Sequence, residues 1–239
     1  MPRLPALVLL ALFVTGARAQ TETLAYDGGW TERAAGEALV ALPDGYDVDP
    51  EARWPLLLFL HGAGERGDSL AGVGVHGPLK ERRAGRDLPF VVVAPQVPAG
   101  GRWTTGRVVA ALDDALARYR IDADRVYLTG LSMGGYGTWE AIEKVPERFA
   151  AAVPVCGGGN RLGIGAARGV PVWAFHGAMD TVVPVGASVE MVRALREAGG
   201  AVRFTVYPDA GHDAWTETYA NPEVYAWLLE HRISDRAGR

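Results

Sequence analysis

Ser132, Asp180 and His212 occur in that order along the chain, and together these residue types can turn a hydroxyl into a nucleophile. Ser132 sits in Gly130-Leu131-Ser132-Met133-Gly134, a G-x-S-x-G pattern, with Gly135 and Gly137 just beyond it. A serine hydroxyl is a poor nucleophile until a neighbouring base takes its proton. A histidine does this when a carboxylate holds one tautomer and stabilises the cation that forms. The oxyanion left on an attacked carbonyl then needs preorganised N–H donors. The donors expected here are the backbone N–H of Met133 and one from the loop Gly62-Ala63-Gly64, assigned to Ala63.

The pattern has the context that gives it meaning. Arg125 to Thr129 reads as a strand and Met133 to Lys144 as a helix, so Ser132 falls on a sharp strand-to-helix turn. Gly130 and Gly134 flank that turn where a Cβ would clash, and Gly135 and Gly137 let the helix approach the sheet. The helix N-terminus adds a positive dipole end beside the hydroxyl.

Further strands are expected at Glu37 to Leu42, Leu56 to Leu60, Phe90 to Ala94, Ala151 to Val155, Val170 to Phe175 and Val202 to Tyr207. Continuous apolar runs such as Leu56 to Leu60 suit strands covered on both faces. Helices are expected at Gly106 to Arg120, about Val185 to Ala198, and Pro222 to Glu230 with Asn221 as N-cap. A short helix is expected in the loop between the strands at 56–60 and 90–94. Ser234 to Arg239 reads as a polar, frayed tail. Alternating strands and helices imply an α/β fold, a mostly parallel doubly wound sheet flanked by helices, in which reacting groups gather beyond the carboxyl ends of the strands. His61 and Gly62, Ser132, Asp180 and His212 all follow strands in this way. His212, after the last strand, is the expected base. His61 and His176 each precede a glycine and read as turn residues bonding locally. His76 lies in a loop and His231 at the end of the last helix. Asp209 and Asp213 are too close to His212 in sequence to orient its ring, which leaves Asp180 as the acid.

The chain has 239 residues, with 28 acidic and 24 basic side chains and a formal net charge of −4. An acidic chain with scattered cations gives no reason to expect nucleic acid. Met1 to Ala19 reads as a signal peptide, with Arg3, an apolar run over Leu4 to Val14 and the cleavage motif Ala17-Arg18-Ala19. A cut after Ala19 leaves one domain, residues 20–239, secreted or periplasmic. The apolar run is too short to span a membrane, and no stable membrane anchor is expected. Cys156 is the sole cysteine, read as a small buried residue. No H-E-x-x-H occurs and the five histidines lack ligand spacing, so neither a metal nor another cofactor is expected. Gly157-Gly158-Gly159-Asn160 reads as a flexible turn.

With these residues in view, the chain resembles the α/β-hydrolase superfamily. More narrowly it is similar to small secreted esterases of the dienelactone-hydrolase and phospholipase/carboxylesterase type, including feruloyl-esterase-like and polyhydroxybutyrate-depolymerase-like proteins. The resemblance is carried by 60–68 (LHGAGERGD), 125–135 (RVYLTGLSMGG), His176-Gly177-Ala178-Met179-Asp180 with Val183-Pro184, and Gly211-His212-Asp213-Ala214-Trp215. It implies Ser132 as nucleophile, Asp180 as acid, His212 as base, Ala63 and Met133 as oxyanion donors, and a small-molecule or polymer-borne ester as substrate. True dienelactone hydrolases use a cysteine where this chain has Ser132, which separates it from dienelactone chemistry.

Only residues 156–169 separate the strands at 151–155 and 170–175, which leaves no room for a lid domain and implies an open site. Trp103 and Trp215 are candidate substrate-binding residues, an aromatic wall at the site's edge, with core shielding as the alternative. Glu65, Arg66 and Asp68 are read as a solvated loop braced by its own ion pair, or as substrate contacts. Two other function classes stand beside the ester hydrolase. One is a serine peptidase of the prolyl-oligopeptidase type, which shares the triad order but carries an extra domain over the site. The other is a non-catalytic binding protein on the same scaffold.

Overall fold

A computed structural model of the chain describes residues 21–29 and 33–236. The expected signal peptide lies outside them. Eight strands form one sheet: β1 (Thr21–Gly29), β2 (Arg33–Ala41), β3 (Trp54–Leu60), β4 (Val91–Pro95), β5 (Ile121–Leu131), β6 (Ala151–Val155), β7 (Val172–Gly177) and β8 (Val202–Tyr207). Their spatial order is β1-β2-β4-β3-β5-β6-β7-β8. β1 and β2 pair antiparallel and β2 joins β4 antiparallel, whereas the pairings from β4 through β8 are parallel.

Six helices are present among the described residues: α1 (Gly77–Arg83), α2 (Thr105–Arg118), α3 (Met133–Lys144), α4 (Gly186–Glu197), α5 (Trp215–Ala220) and α6 (Pro222–Leu229). They cover both faces. One core joins Leu56, Leu58 and Leu60 to Val108, Leu112, Trp139, Ile142, Met191 and Leu195. The other joins Leu57, Phe59, Phe90 and Tyr127 to Leu79, Tyr219, Val224 and Leu228. Alternate residues of β3 enter opposite cores, which is why that strand reads as an unbroken apolar run.

Registers place the carboxyl ends of the strands side by side. Leu60 of β3 lies opposite Gly130 of β5, Leu131 opposite Val155 of β6, Val155 opposite Phe175 of β7, and Gly177 opposite Tyr207 of β8. After β3 the chain moves to β4 on one side and then returns to β5 on the other. The crevice at the ends of β3 and β5 is therefore the topological switch point, where ligands of such sheets bind.

Some boundaries differ from expectation. α2 stops at Arg118 rather than Arg120 because Tyr119 turns extended (φ −113°, ψ 155°) and the Arg120 carbonyl accepts the Trp54 N–H at 2.8 Å. β7 begins at Val172 rather than Val170, since Pro171 has no N–H to give the ladder. α5 has no counterpart among the expected helices; Asp213, just ahead of it, accepts the Thr216 N–H at 3.0 Å. α6 is capped as expected, Asn221 accepting the Glu223 N–H at 2.9 Å. The tail is fastened rather than frayed through Arg236: Ser234 donates its N–H and its hydroxyl to the Asp124 carboxylate, both at 2.7 Å, and Arg236 bonds the Pro146 carbonyl. Those bonds hold Asp124 below the usual carboxylate range.

Between β6 and β7 the chain makes one 3-10 turn, Ile164–Ala167, whose Ile164 and Ala167 enter the core. The described residues contain no helical cap over Ser132.

Candidate active site

The turn at Ser132 is closed by backbone geometry. Ser132 has φ +50° and ψ −115°, a conformation that L residues rarely hold. Its N–H donates to the Val155 carbonyl at 2.9 Å, and its own carbonyl accepts the Tyr136 N–H at 3.1 Å to start α3. A Cβ on Gly134 would fall on the Leu60 carbonyl oxygen, so only glycine lets α3 leave so close to β3.

Three side chains from three loops meet at this turn. His212 Nε2 lies 2.9 Å from Ser132 Oγ, and His212 Nδ1 lies 2.7 Å from Asp180 Oδ2. A carboxylate only accepts, so Nδ1 carries the ring proton and Nε2 presents its lone pair to the serine hydroxyl. The other oxygen, Asp180 Oδ1, accepts the N–H groups of Val182 and Val183, both at 2.9 Å. Burial pushes the Asp180 carboxyl up, but the bonds from His212, Val183 and Val182 outweigh it and hold it below its ordinary range. Asp180 is therefore anionic at neutral pH. Its contribution to stability is present there and is lost as pH falls through that lowered value.

His176 plays a part that its reading as a turn residue missed. It is fully buried, its Nε2 lies 3.2 Å from Asp180 Oδ2 and 2.8 Å from the Val183 carbonyl, and its Nδ1 lies 2.7 Å from Ser188 Oγ. Both neighbours of Nε2 are acceptors, so that nitrogen donates. His176 thus ties the acid loop to β7 and to α4. The i,i+4 spacing of His176 and Asp180 was the available signal. His61 also reaches further than its neighbours. Its Nε2 accepts the Val97 N–H at 2.9 Å, so Nδ1 donates to the Gly62 carbonyl at 2.6 Å. Burial lowers its pKa, keeping the ring neutral and the loop after β3 pinned to the loop after β4.

Ala63, on a 3-10 turn just after Gly62, and Met133, the first residue of α3, stand on adjoining loops because β3 and β5 are paired. The first N–H groups of a helix have no intrahelical partner. Arg66 clamps the first loop through carbonyls rather than through an ion pair, bonding Ala63 O at 2.8 Å and Gly101 O at 3.2 Å.

The two tryptophans part company. Trp103 is 3 % exposed, donates its indole N–H to the His61 carbonyl at 2.9 Å and backs onto Gly137. Its place is in the core, not at the rim, because the close approach of α3 leaves its ring sandwiched. Trp215 stands edge-on to His212, ring centroids 5.1 Å apart at 88°.

Cys156, His176 and Asp180 bring potential ligand atoms within 4.8 Å of one another. Those atoms are already engaged: Asp180 by His212 and His176, His176 by Ser188 and Val183, and Cys156 Sγ by the His212 carbonyl at 3.3 Å. Burial pushes the Cys156 thiol up to about 12, so it stays protonated and is a poor metal ligand. Native protein at pH 8 is accordingly expected to resist iodoacetamide at Cys156 and to take up one equivalent only on unfolding. Rapid labelling of the folded chain, read by mass, would contradict the burial.

A model of the dienelactone hydrolase family matches residues 98–226, a stretch that holds Ser132, Asp180 and His212. A bifunctional acetylxylan esterase/xylanase of Neocallimastix patriciarum is 35 % identical over 137 residues, covering 54 % of this chain and 20 % of its own length. Poly(3-hydroxyalkanoate) depolymerase C of Paucimonas lemoignei is 30 % identical over 124 residues, covering 45 % and 28 %. This chain thus spans less than a third of either relative. Among solved structures, a thermostable esterase superposes with a TM-score of 0.72 at 36 % identity, covering 88 % of this chain and 63 % of that one. A ferulic acid esterase shares the fold with a TM-score of 0.66 at 17 % identity, covering 92 % and 99 %.

Proposed function

Because the chain belongs to the dienelactone hydrolase family, we propose that it is a serine carboxylic-ester hydrolase working through an acyl-enzyme on Ser132. The observation that carries this reading is the continuous relay from Ser132 Oγ through His212 to Asp180, set on a strained turn at the start of α3.

In the proposed cycle Ser132 Oγ attacks the ester carbonyl while His212 Nε2 takes its proton. The carbonyl becomes a tetrahedral oxyanion, which the N–H groups of Met133 and Ala63 receive. As the oxyanion collapses, the C–O bond to the alcohol breaks and His212 gives that oxygen the proton. A water then gives its proton to His212, attacks the acyl-serine, and the acid leaves as Ser132 regains its hydrogen. Asp180 stays ionised throughout and stabilises the imidazolium.

Exposed apolar side chains stand near the relay: Met179 and Val182 flank Asp180, and Tyr136 is one turn beyond Ser132. With no cap over the serine among the described residues, this rim suits acyl groups on bulky or polymer-borne esters. The signal-peptide reading of Met1 to Ala19 supports export as the setting. The test is hydrolysis of p-nitrophenyl acetate, butyrate and octanoate by protein from Gln20. Turnover, with a chain-length preference, is expected. Absence of turnover on all three, together with no labelling by a fluorophosphonate, would remove the reading.

A further inference from the structure

His176 is fully buried and titratable, and the proposed cycle does not use it. Its hydrogen-bond partners decide how many protons the ring carries. Nε2 lies 2.8 Å from the Val183 carbonyl and 3.2 Å from Asp180 Oδ2. Both oxygens only accept, so Nε2 holds a hydrogen. Nδ1 lies 2.7 Å from Ser188 Oγ, and that oxygen lies 2.8 Å from the Gly157 carbonyl. The carbonyl only accepts as well. Ser188 therefore has one hydroxyl hydrogen for two short contacts.

If that hydrogen points at Nδ1, the Ser188 and Gly157 oxygens face each other at 2.8 Å with nothing between them. If it points at Gly157, Nδ1 must bring a hydrogen of its own. Only the second arrangement satisfies all the contacts, and it makes the ring an imidazolium. Two buried acceptors facing each other cost free energy comparable with a lost hydrogen bond. Neither oxygen is free to retreat. Ser188 is fully buried on α4, and Gly157 lies so close to α3 that a Cβ there would strike the Gly135 backbone.

The surroundings suit a cation. Burial opposes one, and an anion in contact offsets that cost. Asp180, on the loop that follows β7, is that anion. His212 lies beyond it, with Nδ1 2.7 Å from the same Oδ2. Cys156, just after β6, brings its Sγ within 4.8 Å of the His176 and Asp180 ligand atoms, but burial keeps it an uncharged thiol. From β8 the residue opposite His176 is Val206. From α4 only the Ser188 hydroxyl reaches the ring, since Glu190, Arg193, Arg196 and Glu197 of that helix are exposed.

We propose that His176 is a positioning residue held as an imidazolium, a fixed positive charge that shares Asp180 Oδ2 with His212 and keeps His212 available as a free base near neutral pH. The inference rests on the ester-hydrolase reading and adds to it a residue outside the relay. The Asp180 carboxylate draws a proton onto His212. A cation against the same oxygen opposes that draw, so His212 gains its proton from Ser132 during the reaction rather than from solvent before it.

Two measurements test this. The first needs no substrate: long-range 1H–15N correlation spectra of 15N-histidine-labelled wild type at neutral pH, with the His176 ring identified as the one missing from His176→Gln. Both ring nitrogens are expected to carry hydrogen, and a lone pair on either one would overturn the proposal. The second is the pH profile of kcat/KM on p-nitrophenyl acetate. In His176→Gln, and in Ser188→Ala, which removes the acceptor for the Nδ1 hydrogen, the acid limb is expected to move up by about one pH unit. A residue that only braces the loop would lower the rate equally at every pH. An acid limb unmoved in both variants would therefore remove the action on His212. Absence of turnover by wild type would instead count against the ester-hydrolase reading, and the spectra would still decide the charge on His176.

Discussion

Ser132→Ala is expected to lower kcat on p-nitrophenyl acetate by about five to six orders of magnitude, since a triad acts as a unit and loss of its nucleophile removes nearly all of its contribution. Asp180→Asn is expected to cost about four orders. An amide can donate to His212 Nδ1 as well as accept from it, and a donated bond there flips the tautomer and turns a protonated Nε2 towards the serine. The two variants differ in a second readout. Ser132→Ala should be inert to a fluorophosphonate at every pH, whereas Asp180→Asn should still label slowly, faster as pH rises. Residual turnover of Ser132→Ala within tenfold of wild type would exclude Ser132 as the nucleophile. Both substitutions leave the backbone of the turn untouched, so the unfolding temperature is the control for each.

Gly134→Ala should act on the fold instead. The new Cβ would meet the carbonyl oxygen and carbon of Leu60 and the carbonyl of His61, all of them backbone. Leu60 is paired with Gly130 in the middle of the sheet and has no freedom to retreat. Overpacking of side chains costs about 1–3 kcal/mol, and a backbone clash lies at the top of that range or above. At about 3 kcal/mol the unfolding temperature would drop by roughly 10 °C, with ester hydrolysis lost as the turn opens. Gly186→Ala is the paired control, because a Cβ there meets nothing within 4 Å and the residue begins α4. It is expected to leave the unfolding temperature within a degree or two, consistent with a surface change of no more than about 0.5 kcal/mol. Equal unfolding temperatures for the two variants would show that α3 does not need the close approach.

The amino-acid sequence by itself determined which side chains meet and on what kind of scaffold. Apolar runs at Leu56 to Leu60 and Phe90 to Ala94 read directly as strands covered on both faces, because burial on two sides removes the polar alternation. Placing Ser132, Asp180 and His212 after the parallel strands β5, β7 and β8 sufficed to bring them together, since a parallel sheet delivers every such loop to one edge. Contacts between distant segments were decided only by the tertiary structure. Trp103 became a core brace because His61, 42 residues away, offers its carbonyl. His176 came within 3.2 Å of Asp180 Oδ2 because the acid loop folds back onto β7. The tail is held because Ser234 finds Asp124, 110 positions earlier. His76, just before α1, meets Trp215 at the start of α5, ring centroids 5.6 Å apart, although the two lie far apart in the chain. Local sequence encodes propensity and spacing. Which indole enters the core follows from how the loops of all the strands pack at one edge.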